Sequence, residues 1–405
     1  MPSRLLPLVV AAFPLAAFAG TDKTVVTQPP PASPASFCES GSLTEYFLGK
    51  DNAWDSMYDS FQQWKKDNNL PIGFGAHHWW HVDRGDRLYG DGYGVPGERG
   101  TYYYWLNVDP SLKLGGDGFV KEIGIHAQGR IRDTDDKLRA FYNDTVWTYE
   151  AYAYARTDAG TFKAGQIVED FCIPWDNTWY EGVAYFDEYR FNPSWGVSWN
   201  NTWKSSDTFS IDTSAQYFIR GDHVSGGLVN SSAATTEGAK ERNTGIVRLV
   251  PTWKLDSDTK VAWGMAGLVR GIDAPDSLGL SNTQTAWETD LTLSYKNWSI
   301  WGQYIDSHGT ITPARYVSGG PSDRQNSVST GINYKCGPLG VHVNYSKGWD
   351  HGPDGNQYIF EPGITFQLAK NVTLYTEYVK WNVTDSAGVK TKYDDGFELA
   401  LVWNF

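Results

Sequence analysis

The sequence predicts an all-β protein, a 16-stranded antiparallel transmembrane β-barrel with a short N-terminal helical extension. Three observations predict it. From Ile72 to the end, apolar residues recur at every second position in segments of about ten residues, the length of a barrel strand. The connections between these segments alternate short and long. The chain also ends on FELALVWNF, in which Phe397, Leu399, Leu401, Trp403 and Phe405 point one way and Glu398, Ala400, Val402 and Asn404 the other. Most chain ends are polar and frayed; this one is built to bury a face.

Residues 1–19 read as a secretory signal peptide: Arg4, an apolar run from Leu5, and a small-x-small site at Ala17, Phe18 and Ala19. No later apolar run approaches the ~18 residues of a membrane-spanning helix, and the mean hydropathy is −0.46. A soluble exported protein and an outer-membrane barrel both remain, because the polar lumen face of a barrel keeps average hydropathy low. Composition leans to the barrel: aromatics make up 15 % of the chain, with 19 Trp and 24 Tyr, residues favoured at membrane interfaces.

Residues 20–71 form a Pro-rich linker followed by a short amphipathic helix. The linker TDKTVVTQPPPASPASF has little to pack. Trp54, Met57, Tyr58, Phe61 and Trp64 then recur at helical spacing, which predicts a helix packed against the barrel, or alternatively a plug in its lumen.

Residues 72–405 are the outer-membrane β-barrel. The strands predicted are 72–83, 99–109, 119–133, 144–156, 160–169, 193–204, 207–220, 244–256, 259–271, 286–295, 298–306, 326–336, 339–348, 357–368, 372–381 and 395–405. Short turns, such as Lys296-Asn297 and Gly337-Pro338, interleave with long polar loops at 221–243, 272–285, 307–325 and 382–394. Bacterial barrels have this asymmetry, with short periplasmic turns and long external loops, whereas a soluble Greek-key sandwich has no reason to keep it. Both termini are therefore expected in the periplasm.

In each strand the face without bulky apolar residues should line the lumen. IGIHAQGRIRD sends Ile123, Ile125, Ala127 and Ile131 to lipid and His126, Gln128, Arg130 and Arg132 inward. These arginines either form an anion-attracting ladder or pair with acids nearby. The same rule sends inward Arg156, Lys163, Arg220, Arg248, Lys254, Arg270 and Lys335, and the acids Asp83, Glu122, Glu150, Asp212, Glu288, Asp290, Glu361, Glu377 and Glu398. Bases gather in the early and middle strands and acids in the late ones, which predicts a transverse field, since sequence neighbours are barrel neighbours. The net charge of −13 says little about selectivity, which the lining residues decide.

The architecture of residues 72–405, with Leu399, Leu401, Trp403 and Phe405 at its end, resembles a Gram-negative outer-membrane porin. YEAYAYARTDAGTFKAGQIVEDF resembles a strand-turn-strand segment of the carbohydrate-selective and phosphate-selective porins, and NAWDSMYDSFQQWKKDNNL is similar in placement to the pre-barrel segment of the former. The resemblance implies that Trp403 and Phe405 are the signal read by the barrel-assembly machinery. It also implies that the third external loop, FCIPWDNTWYEGVAYFDEYRFNP at 170–192, folds into the barrel and narrows it. Trp175, Trp179, Tyr180 and Tyr185 would then offer faces to sugar rings, with Phe186 beside them, while Asp176, Glu181, Asp187 and Glu188 would accept from hydroxyls or face the arginines. The alternative is that these aromatics only pack the loop on the wall.

Cys38 in the linker and Cys336 beside a short turn fall on the same side of the barrel, with Cys172 in the constriction loop, so any disulfide is expected to be Cys38–Cys336; separate thiols are the alternative. HHWWH suggests a metal, but in a strand His77 and His81 stand about 13 Å apart at ~3.3 Å per residue, too far to share one ion. No nucleophile elbow, phosphate loop or Cys/His cluster is present, so neither a chemical step nor a cofactor is expected. The reading is a passive diffusion channel for small hydrophilic solutes, sugars first and phosphate or other anions second. The alternatives from other classes are an outer-membrane receptor or adhesion barrel and a carbohydrate-active hydrolase. The expected partners are the outer-membrane lipid bilayer, the assembly machinery and the solutes, with no nucleic acid. A homotrimer stays open, because a protomer interface and a lipid-facing wall look alike in sequence.

Overall fold

Alternation of apolar and polar side chains from Ile72 onward produces antiparallel strands, and the computed structural model describes them within residues 36–83, 98–115, 117–132, 146–173, 193–221, 240–273, 283–309, 324–350, 356–384 and 390–405. The strands are β1 (Ile72–Asp83), β2 (Glu98–Val108), β3 (Ser111–Lys113), β4 (Val120–Arg132), β5 (Val146–Thr157), β6 (Gly160–Val168), β7 (Pro193–Lys204), β8 (Phe209–Gly221) and β9 (Lys240–Lys254). They continue as β10 (Thr259–Asp273), β11 (Thr283–Tyr295), β12 (Trp298–His308), β13 (Arg324–Cys336), β14 (Leu339–Asp350), β15 (Asn356–Ala369), β16 (Val372–Thr384) and β17 (Lys390–Asn404). Each pairs with its sequence neighbours, save that β2 and β3 both pair with β4, and β1 pairs with β17 from Gly75↔Asn404 to Asp83↔Gly396, closing the sheet.

β2 and β3 lie one after the other along β4, so the closed barrel has 16 staves. The break falls at Asp109 and Pro110. Proline has no N–H to give the ladder, although its carbonyl still accepts from Ile125 N at 2.9 Å. The predicted segments coincide with these strands, but β9, β11 and β17 begin earlier, at Lys240, Thr283 and Lys390 instead of 244, 286 and 395. Alternation fades where both faces are polar, yet backbone pairing continues.

Burial is inverted relative to a soluble protein. Ser194, Ser198, Gln216, Thr244, Gln284, Gln303, Ser329, Asn344 and Ser346 are buried inside, while Val197, Leu249, Val269, Leu291, Leu293 and Ile300 are exposed outside. On the outer wall Trp195 and Trp203 on β7, and Trp287 and Tyr295 on β11, are exposed. Each pair is eight residues apart, about 27 Å along a strand, close to the ~9–11 residues that a tilted strand uses to cross a bilayer. Short connections, such as Lys296-Asn297, Gly337-Pro338 and Lys370-Asn371, share one end of the barrel; the strand ends flanking 84–97, 133–145, 174–192 and 222–239 are at the other.

The N-terminal segment crosses the short-turn end as two helices, where the sequence suggested one. After a 3-10 turn (Phe37–Glu39), α1 (Leu43–Leu48) stops at Gly49, whose φ of 87° ends the helix. Asn52 then caps α2 (Ala53–Asp67), its side chain accepting from Asp55 N at 2.9 Å. Asp55, with no exposed surface, is the hub: it accepts from Asn52 Nδ2 at 2.7 Å, Thr44 Oγ1 at 3.2 Å, Ser42 Oγ at 3.4 Å and Lys370 N at 3.0 Å. Burial opposes its ionisation, but these hydrogen bonds and the Lys370 charge hold its carboxyl below the usual carboxylate range. A 2.5 Å hydrogen bond to Asp59 raises the Lys370 ammonium in turn.

Cys38 and Cys336 are joined in a disulfide, and Cys172 is free and buried. Gly337, at φ 58°, is required here, because a Cβ would lie 2.0 Å from the Phe37 carbonyl oxygen. At the other end of the segment Phe61 meets Phe74 at 5.8 Å and Phe405 at 6.2 Å, and Phe74 stacks on Phe405 at 5.0 Å.

Gly337→Ala is expected to keep the segment off the β13–β14 turn and block the disulfide. Alkylation of the denatured protein followed by mass spectrometry checks this, with one labelled thiol in the parent and three in the variant. The Asp55 anchor follows from its lowered pKa: its stabilisation is fully present above the unfolded carboxylate range and is lost as pH falls through the lower folded value. Hydrogen exchange of α2 amides in the inserted protein should therefore accelerate below about pH 4, and it should not do so in Asp55→Asn.

Candidate functional site

The lumen wall of β4–β6 carries Glu122, His126, Gln128, Arg130, Glu150, Arg156 and Lys163, all expected inward from the sequence. A bulge between Gln128 and Gly129 pairs them with Glu150 and Thr148, leaving Tyr149 as the extra residue. Tyr149 is 8 % exposed, and its ring lies 3.3 Å from the Arg130 guanidinium. Two more tyrosines continue the pattern, with Lys163 Nζ 4.6 Å from the Tyr152 ring and Arg156 5.4 Å from the Tyr154 ring. The wall is thus a ladder of three tyrosines, each faced by a cation.

Acids and amides complete it. Glu122 accepts from Tyr154 Oη at 2.8 Å and from Arg156 at 3.1 Å. His126 Nδ1 is 2.5 Å from Asp109 Oδ1 and its Nε2 is 3.8 Å from Glu150, while its ring stacks on Tyr152 at 5.0 Å. Gln128 donates to Asn107 at 2.9 Å and accepts from Arg130 Nε at 2.6 Å. Among the described residues Arg130 thus has an amide and a ring as neighbours. Arg132 is in register with Tyr103 at the strand end; its side chain is outside the described residues.

A second cluster fixes the entry of the third long loop. Residues Glu169 to Ile173 leave β6 and run along the inner wall: Asp170 N donates to Gln216 of β8 at 2.7 Å, Phe171 O accepts from Arg248 of β9 at 3.0 Å, and Ile173 N donates to Gln303 of β12 at 3.1 Å. Phe171 and Cys172, with no exposed surface, pack on Ile167, Phe218, Ile246, Leu268 and Ile305, and Ile173 packs on Trp301. This is an apolar island inside a polar lumen.

Two buried arginines surround the island. Arg270 donates to Glu169 at 2.9 Å and Glu241 at 2.5 Å, and Ser194 also donates to Glu241 at 2.6 Å. Arg248 pairs with Glu288 and, at 2.5 Å, with Asp290. Gly264 makes room for that pair, since a Cβ there would meet both Asp290 and Arg248. Expected as field-setting wall charges, both arginines are buried in ion pairs under the loop entry, Arg270 with Glu169 and Glu241 and Arg248 with Glu288, Asp290 and, at 4.0 Å, Asp170.

Trp175, Asp176, Trp179, Tyr180, Glu181, Tyr185, Asp187 and Glu188 lie outside the described residues, as do the side chains of Asp83 and Arg220. Trp403 is on the outer wall, stacked on His78 at 5.2 Å. Among the described residues no group of three or more His, Cys, Asp or Glu could hold a metal. Tyr149, Tyr152 and Asp109 were not singled out from the sequence. The Ala-Tyr alternation of AYAYAR carries the signal for Tyr152, whereas Tyr149 depends on the bulge and Asp109 on the break between β2 and β3.

No family model matches the chain, and no curated protein is significantly similar to it. Solved structures are similar in fold. OmpF of Salmonella typhi, in complex with daunomycin, is 14 % identical over 84 % of this chain and 99 % of its own, with a TM-score of 0.55. The outer-membrane channel DcaP of Acinetobacter baumannii is 12 % identical over 82 % of this chain and 96 % of its own, at 0.52. A loop-deletion variant of the outer-membrane protein OmpT of Vibrio cholerae is 11 % identical over 82 % and 98 %, at 0.51. The chain has the fold of an outer-membrane porin, a closed barrel of 16 strands.

Arg270→Met leaves Glu169 and Glu241 buried beside one another with no cation. Removing one partner of a buried ion pair costs roughly 3–5 kcal/mol, so the variant's unfolding transition, followed by heat-dependent gel mobility, should fall well below that of the parent. Arg156→Met, whose side chain is 59 % exposed, should scarcely move it.

Proposed function

We propose that this protein is a passive channel of the Gram-negative outer membrane for small hydrophilic solutes, with uncharged sugars as its preferred class. The observation that carries the reading is the β4–β6 lumen wall, where tyrosine rings, amides and charges of both signs lie side by side. Arg130, Arg156 and Lys163 are offset by Glu122, Asp109 and Glu150 within one patch, so a neutral polyol finds donors, acceptors and ring edges without a net charge to repel or trap it. Binding at such a wall is weak enough to leave, as conduction requires. No chemical step or cofactor is involved.

The signal peptide 1–19 takes the chain out of the cytoplasm, and Trp403 and Phe405 are recognised by the assembly machinery. The short-turn end and both termini face the periplasm. The loop that enters at Glu169 supplies the constriction through Trp175, Asp176, Trp179, Tyr180, Glu181, Tyr185, Asp187 and Glu188. A homotrimer is compatible with the apolar outer wall. A second reading, an anion or phosphate channel, is favoured by the Arg156 guanidinium, whose side chain is more than half exposed to the lumen.

Planar-bilayer conductance of the refolded mature chain tests the proposal. Discrete steps blocked by maltose-type sugars are expected. Tyr152→Ala should keep the steps and weaken sugar block roughly tenfold, the equivalent of about 1.4 kcal/mol. Block by phosphate and not by sugar would replace the first reading with the second. A protein shown to be inserted that gives no steps would sink both.

A further inference from the structure

The apolar face of α2 is wider than the part the barrel covers. Trp54, Met57, Tyr58, Phe61 and Trp64 share that face at helical spacing. Tyr58 and Phe61 turn to the barrel, reaching Phe405 at 6.3 Å and 6.2 Å. Trp54 and Trp64 flank them and remain 42 % and 51 % exposed. Trp64 stacks on Phe61 at 5.8 Å and keeps half of its surface exposed.

The two barrel rings that α2 meets, Phe74 and Phe405, belong to outward-facing rows. Phe74 and Trp80 of β1 and Phe397 and Leu399 of β17 are exposed on the outer wall, and Phe405 continues the β17 row beside Phe74. Rings of the helix are therefore continuous with the apolar band of the barrel, on its outer side at the short-turn rim. Anchors on either side hold the helix along the rim. Trp54 Nε1 donates to Asn371 of the β15–β16 turn at 3.2 Å, and Lys65 Nζ donates to Ile72 O at the start of β1 at 3.1 Å.

We infer that α2 is an interfacial helix whose Trp54 and Trp64 rings seat in the headgroup layer of the phospholipid leaflet around the short-turn end. The chemistry fits that layer. Indole rings with a polar N–H favour the boundary between headgroup and acyl chain, and amphipathic helices bind there by burying one apolar stripe. The opposite face, with Ser56, Ser60 and Gln63, is polar and exposed. The helix edge thus extends the protein's lipid contact beyond its strands, on the one segment tied to the wall by a disulfide.

Photocrosslinking in phospholipid vesicles tests this with the full mature chain. A benzophenone amino acid is placed at Trp64, at Ser56 on the polar face, or at Leu291 on the outer wall of β11, and adducts are read by mass spectrometry. Phospholipid adducts at Leu291 and Trp64, each several-fold above Ser56, are expected. An adduct at Leu291 with none at Trp64 above the Ser56 level overturns the inference while leaving the barrel in its bilayer. An adduct of Trp64 with a second copy of the chain also overturns it and assigns the edge to a contact between protomers. Absence of lipid at Leu291 overturns the membrane reading on which it rests. If the benzophenone variants do not fold, quenching by brominated phospholipid is compared between the parent and Trp64→Phe. Loss of part of the quenching in the variant supports the inference, and equal quenching overturns it.

Discussion

A backbone N–H or C=O left open inside hydrocarbon costs several kcal/mol, so a sheet that crosses a bilayer must have no edge. The pairing of β1 with β17 meets that requirement here, and most other features follow from it. The two strands run in continuous register from Gly75↔Asn404 to Asp83↔Gly396. The last residue joins as well: Phe405 N donates to Phe74 O at 2.7 Å and its carbonyl accepts from Phe74 N at 3.0 Å. The terminal aromatic is therefore the final rung of the closure, and its ring fills the corner where strand, neighbouring strand and helix meet.

Closure then divides every strand into a lipid face and a lumen face, and the lumen is not uniform around its circumference. From β8 to β12 the inner wall lies under the loop entry, with apolar side chains and the two ion-paired arginines. On β4–β6 the inner wall keeps partly exposed tyrosines, cations and acids. The free-energy logic of the two halves differs. Arg248 and Arg270 are buried, so each needs its carboxylate partners to offset desolvation. Arg156 and Lys163 stay in contact with the lumen and stand over rings. Buried, paired charge and lumen-exposed charge thus lie on different parts of one wall.

Much of this was legible in the sequence, because period-two alternation and turn length are local signals. All the staves, the short-turn and long-loop ends, and the inward positions of His126, Gln128, Glu150, Arg156 and Lys163 follow from them. What was not legible depends on contacts between distant residues. Arg270 and Glu169 are separated by 101 positions and Arg248 and Asp290 by 42, and no local pattern marks them as partners. Tyr149 turns inward only because a bulge adds a residue to β5, and Asp109 meets His126 at a break between β2 and the short β3, a strand the sequence reading did not include. The two-helix form of the N-terminal segment was written in Gly49 and Asn52, a stop and a cap inside one amphipathic stretch. The aromatic stripe masked them.

The N-terminal segment makes a further link between the chain ends and the closure. Its disulfide to Cys336 spans 298 residues of sequence, and in the chain-entropy picture so long a loop contributes on the order of 5 kcal/mol by restricting the unfolded chain. Its second anchor is the Asp55 and Asp59 pair of contacts with Lys370, and its third is the Phe61 contact with Phe74 and Phe405. These attach to the β13–β14 turn, the β15–β16 turn and both strands of the closing pair. A rupture of the β1–β17 seam would have to separate Phe74 from Phe405 while both are held against one helix, and that helix is itself fastened two turns away. The segment therefore reinforces the one pairing that joins the first strand to the last, which is the pairing no hairpin turn enforces.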